Sequence, residues 1–108
     1  NLNYYLFNGN VDLRKGIFRL CESIREEMSL DPSDASNVYM FMSRNRKVVK
    51  ILHYERGFYV LYEKRPVMGR FKKPVFDEVS KCYRIQWSDM AYLTESIVVD
   101  KMYVSPKD

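Results

Sequence analysis

Between Arg44 and Lys73 the chain concentrates cations and aromatic rings in a single stretch. Ten bases (Arg44, Arg46, Lys47, Lys50, Arg56, Lys64, Arg65, Arg70, Lys72 and Lys73) stand there against two acids, Glu55 and Glu63, a balance of +8. The rest of the chain carries eight bases against twelve acids, so the overall charge of +4 conceals a basic segment and an acidic remainder. Tyr54, Phe58, Tyr59, Tyr62 and Phe71 are interleaved with these cations. Cations pair with phosphate oxygens and ring faces stack on bases, so this mixture suits a nucleic acid. The competing reading is that half of the rings face a core and the turn cations serve solubility. His53 lies in the same stretch. As a strand histidine it is expected to pack or hydrogen-bond within a sheet, with contact to phosphate or base as the alternative.

Arg14 and Lys15 form a second, smaller anion-binding candidate. They fall in the first turn of an expected helix, where the macrodipole disfavours cations by ~0.3–1 kcal/mol. Free N–H groups at such an end also bind phosphates. A plain surface pair with Asp12 is the competing explanation.

Other chemistries lack the necessary spacing. The chain has one His and two scattered Cys, Cys21 and Cys82, so no metal-ligand cluster is expected. The cysteines read as buried or half-buried thiols of a reducing cytoplasm, with one bridge between them left open. No GxSxG accompanies His53, and neither a P-loop nor a GxGxxG is present. Asp12, Asp31, Asp34, Asp77, Asp89 and Asp100 sit at expected caps, loops or strand ends, where Asp serves local hydrogen bonding. The expectation is a non-enzyme without metal, cofactor or small-molecule substrate. A cryptic enzyme built on His53 ranks last.

These residues need a scaffold, and 108 residues with 46 % hydrophobic content suit a single domain over 1–108. No apolar run approaches the ~20 residues of a membrane span, and Asn1 to Phe7 is too short and uncharged for a signal peptide. Tyr4 to Phe7 reads as a strand stopped by the turn formers Asn8-Gly9-Asn10. From Asp12, its natural N-cap, a stripe of Leu13, Ile17, Leu20/Cys21, Ile24 and Met28 predicts an amphipathic helix ending near Ser29, before the Asp31-Pro32-Ser33-Asp34 loop.

Val38 to Met42, Val48 to Tyr54 and Phe58 to Lys64 predict an antiparallel meander, with Asn45 in a left-handed turn position and Gly57 in a bulged hairpin. Arg65 to Pro74 is bracketed by prolines and reads as an extended arm or edge. Tyr83 to Trp87 predicts a strand. Ser88 predicts the N-cap of a short helix through Glu95, with Trp87 and Tyr92 as a hydrophobic staple. Ile97 to Val99 and Met102 to Val104 suggest a last strand. The fold class so read is α+β: an antiparallel β-meander packed against one long N-terminal helix, with a second short helix near the C-terminus.

The run Asp12-Leu13-Arg14-Lys15-Gly16-Ile17, the Asp31-Pro32 loop, Val38-Tyr39-Met40-Phe41, Lys50-Ile51-Leu52-His53-Tyr54, and Gly57 through Arg65 followed by Gly69-Arg70-Phe71 resemble the TnpB accessory protein of insertion-sequence-66 transposable elements. The order and spacing agree from about Phe7 to Ile97. The family usually has Trp at Tyr54, Gly at Arg56, Tyr at Glu63 and Gly at Ser96. The resemblance implies a small cytoplasmic bacterial protein, encoded beside a separate transposase and needed for efficient transposition. It supplies no catalytic residues. The expected function is therefore an accessory factor of DNA transposition. It would bind element-end DNA or a transposase–DNA complex through Arg44, Arg46, Lys47, Lys50, His53, Lys64, Arg65, Arg70, Lys72 and Lys73, with Arg14 and Lys15 as a second anion site. The alternative is a protein-interaction module that docks the transposase through exposed Tyr and Met residues, with the basic patch incidental.

Overall fold

A computed structural model describes residues 1–7, 12–14, 16–75 and 82–99. The elements are β1 (Asn3–Phe7), α1 (Ile17–Met28), β2 (Asn37–Met42), β3 (Val49–Glu55), β4 (Phe58–Lys64), β5 (Arg70–Phe71), β6 (Cys82–Ile85), α2 (Trp87–Glu95) and β7 (Ile97–Val98). Five strands form one sheet in the order β4-β3-β2-β1-β6, and β5 pairs with β7 separately.

The protein is mostly β, which corrects the expected fold of a meander on a long N-terminal helix. Strand β3 pairs antiparallel with both β2 and β4, but β1 lies parallel to β2 and antiparallel to β6, so the sheet is mixed. The reason is the connection. Parallel neighbours need a crossover of a dozen or more residues, and α1 with its flanking loops is that crossover. The Asp31 to Ser36 loop then sets the register, because Asn3 donates its N–H to the Ser36 carbonyl at 2.7 Å beside the Asn3–Asn37 pair.

Helix α1 spans only 12 residues because it starts at Ile17, with Gly16 as N-cap. Asp12 does not cap it. Its carboxylate instead accepts from the Arg14 backbone N–H at 2.9 Å and from the Arg14 guanidinium, closing a tight turn ahead of the helix.

Alternation along the central strands feeds two cores. Tyr39, Phe41 and Leu52 pack with Leu20, Cys21 and Ile24 of α1 on one face. Leu6, Val38, Met40 and Val49 pack with Phe71 and with Met90 and Leu93 of α2 on the other. Strand β2 therefore reads as a nearly continuous apolar run, the pattern of a strand covered on both faces.

The arm after β4 is not an open extension. Arg70 and Phe71 pair with Val98 and Ile97, and Phe71 is buried in the second core. Gly69 permits the close approach: its φ is +77°, and a Cβ there would lie 2.4 Å from the Val98 carbonyl oxygen. Helix α2 starts earlier than Ser88 predicts. Gln86 and Asp89 form a reciprocal capping box, and the Trp87 ring lies 5.6 Å from that of Tyr4. The expected turn at Asn8-Gly9-Asn10, Lys15, Asp77, Asp100 and the Met102 to Val104 strand lie outside the described residues.

Candidate nucleic-acid interface

The sheet divides the basic segment between its two faces. On the α1 side, where the β2–β3 turn meets the loop before α1, an open groove of about 580 Å³ is lined by Leu13, Arg14, Arg44, Asn45, Lys50 and Arg65, among others. Four cations from the pre-helix loop, the β2–β3 hairpin and the end of β4 meet there, although Arg14 and Arg65 are far apart in the chain.

Lys50 forms the buried wall. It faces Glu63 across the β3–β4 pair, its ammonium donates to the Leu13 carbonyl oxygen, and it lies 3.5 Å from Glu63 Oε1. Arg65 Nε donates to the other Glu63 oxygen at 2.8 Å. The Arg65 hydrogen bond, aided by the Arg65 and Lys50 charges, holds the Glu63 carboxyl below its usual range. Arg14 is held by Asp12 at 3.0 Å with its side chain 92 % exposed, and Arg44 is exposed at the turn.

The turn itself departs from expectation. Arg46, not Asn45, takes the left-handed conformation, with φ +59°. Asn45 instead uses its side-chain oxygen to accept from the Ser43 hydroxyl and the Lys47 N–H at 2.8 and 3.0 Å, which closes the loop without a positive φ of its own. At the next hairpin Arg56 and Gly57 both have positive φ, 46° and 87°, a two-residue primed turn where a longer bulged loop was expected.

On the α2 side, Lys64 pairs with Glu95 at 2.7 Å. Lys72 donates to the Tyr92 hydroxyl at 3.0 Å, lies 5.4 Å from that ring's centroid and lowers the phenol's pKa. Arg46 donates to the Phe71 carbonyl at 3.2 Å. Arg70 is half-buried in β5, while Lys47 and Lys73 are exposed. His53 Nε2 lies 3.0 Å from the Ala35 carbonyl oxygen, so the ring is hydrogen-bonded within the fold. Burial raises both thiols, Cys82 to about 12, which leaves them protonated and poorly nucleophilic at neutral pH.

The family model described as IS66 Orf2 like protein matches residues 2–103 of the chain. The chain belongs to that family. An IS66 Orf2-like protein is an accessory protein associated with transposition. Among curated proteins and solved structures, none matches the chain. Among the described residues of this IS66 Orf2-like chain, no helix is long and apolar enough to cross a membrane, and no group of three or more His, Cys, Asp or Glu could hold a metal ion.

The aromatic half of the sequence pattern is also divided. Phe71 is a core residue, whereas Phe58 and Tyr62 are 72 % and 65 % exposed. On the α1 side Tyr54 and Tyr59 meet edge-on at 5.1 Å, and Phe18 of α1 stands over Tyr59 at 6.3 Å in a T-shaped contact. Phe18 was not singled out from the sequence. The available signal was a large ring off the apolar stripe of an amphipathic helix, which leaves it 76 % exposed.

Proposed function

We propose that this IS66 Orf2-like protein serves transposition by binding nucleic acid, at the element ends or as presented by the transposase of the same element. The observation that supports the reading is the groove shared by Arg14, Arg44, Lys50 and Arg65, because separate chain segments have no packing reason to collect like charges at one place. Asp12 and Glu63 compensate two of these charges in the unbound protein, and an arriving phosphate exchanges for Asp12 on the Arg14 fork. Arg14, Arg44 and Arg65 are the contacts. Lys50 supplies positive potential from below, and Lys47 extends the exposed rim. Arg46 ties the arm to the β2–β3 turn through Phe71. Lys64 and Lys72 add positive field from the other face, and Lys73 is a further exposed cation.

A mobility-shift titration with element-end DNA at several salt concentrations tests this. Binding should weaken with log salt at a slope of about −0.9 per phosphate contact on duplex. Substituting Arg14, Arg44 and Arg65 by Ala should flatten that slope by about three contacts' worth. A salt-independent affinity, or one unchanged in the triple variant, overturns the proposal.

The exposed apolar groups favour a second reading. Tyr62, Met68 and Trp87 are all more than half exposed, and large exposed side chains of this kind anchor protein partners. Capture of the transposase that survives nuclease treatment and the triple charge substitution would favour docking without nucleic acid.

A further inference from the structure

Phe18 has little to do with folding. Its ring is 76 % exposed, on a helix whose buried residues are Leu20, Cys21, Ser23 and Ile24. It is nevertheless held in a defined orientation, edge-on to Tyr59, which is braced in turn by Tyr54. The three rings form a continuous aromatic strip at one end of the α1-side face of β4. Arg65 and the cationic groove lie at the other end. From Tyr59 to Arg65 is six residues of extended chain, about 20 Å at ~3.3 Å per residue. Arg14, four residues before Phe18 in the chain, lines the groove.

From this arrangement we infer that the α1-side edge of β4 is a track for single-stranded nucleic acid. Its phosphates enter the Arg14, Arg44 and Arg65 groove, and an unpaired base stacks on Phe18. The inference rests on the nucleic-acid reading above and adds the strandedness of the ligand. Duplex bases already stack on one another and present only their edges, so the exposed face of Phe18 can be used only by an unpaired nucleotide. Stacking of this kind tolerates any base, because every base has a π-face. The track is therefore selective for strandedness rather than for sequence.

The test is fluorescence anisotropy of the full chain with a labelled single-stranded oligothymidine and with a labelled duplex of equal length, at one salt concentration. The single strand should bind at least several-fold more tightly. Phe18→Ala should weaken the single strand by about tenfold, within the range seen for loss of one stacked base, and leave the duplex unchanged. Phe18→Trp should retain or strengthen single-strand binding, whereas Phe18→Leu, equally apolar but without a π-face, should behave like the Ala variant. Equal or tighter duplex binding overturns the inference, as does an Ala variant with unchanged single-strand affinity or a Leu variant that binds like wild type. Those results leave the nucleic-acid reading standing if Arg14→Ala, Arg44→Ala and Arg65→Ala weaken both ligands. Failure of both ligands to bind overturns the two together.

Discussion

Arg46 and Phe71 clasp each other from both sides. The Phe71 N–H donates to the Arg46 carbonyl at 2.8 Å, and the Arg46 guanidinium donates back to the Phe71 carbonyl at 3.2 Å. The pair ties the β2–β3 turn to the segment that sequence alone reads as an arm. Arg46→Ala should therefore cost about 1.5–3 kcal/mol, the range for a hydrogen bond involving a charged group. Urea denaturation reads the loss, and binding measured on the remaining folded protein should change less than in Arg44→Ala.

Gly69 makes the same attachment possible from the other end. Gly69→Ala must adopt a left-handed conformation, at about 1–2 kcal/mol, and place its Cβ against the Val98 carbonyl. The expected outcome is separation of β5 from β7. Native-state hydrogen exchange should show the Lys72 N–H, which donates to the Ser96 carbonyl at 3.1 Å, losing protection well before the amides of β2 and β3.

Lys50 is expected to behave as a structural cation. Lys50→Met keeps the apolar stem but leaves the buried Leu13 carbonyl without its donor and Glu63 with Arg65 as its remaining cation partner. The substitution should lower stability by roughly 1–3 kcal/mol. A lower urea midpoint with an unchanged denaturant slope would show this directly.

Three carboxylates predict acid sensitivity. Asp31 accepts from the Ser33 hydroxyl and N–H, Asp34 from those of Ser36, and Glu63 from Arg65, and each pKa lies below its usual value for that reason. The unfolded chain has ordinary carboxylates near ~3.9 for Asp and ~4.3 for Glu, so it binds more protons in the window below those values. Stability from these groups is fully present above that range and is lost as pH falls through the depressed native values. Urea midpoints measured between neutral pH and pH 3 should drop, and Asp31→Asn with Asp34→Asn should make the drop shallower.

The sequence by itself determined what depends on near neighbours. Short runs rich in apolar and aromatic residues from Val38 to Lys64, separated by turn residues, mark three strands, and Gly57 marks a hairpin because it supplies positive φ. The 3.6-residue stripe through Leu20 and Ile24 marks α1, and the composition from Arg44 to Lys73 marks a basic region. Family membership was legible in the same way, from ordered local runs.

Only the tertiary structure decided where distant pieces meet. Pairing of β1 with β2 is a contact across 34 residues, and nothing in Tyr4 to Phe7 states whether its partner runs parallel or antiparallel. The capacity of Asp12 to cap α1 was real but was used on Arg14, since a side chain with several local donors in reach cannot be assigned among them from spacing. The basic run looked continuous because charge was counted along the chain. The sheet instead turns Lys50 and Arg65 to one face and Lys64 and Lys72 to the other, and brings Arg14 into the first group. Charge acts through space, so the cationic groove and the Phe18–Tyr59 contact form only once α1 has crossed the sheet.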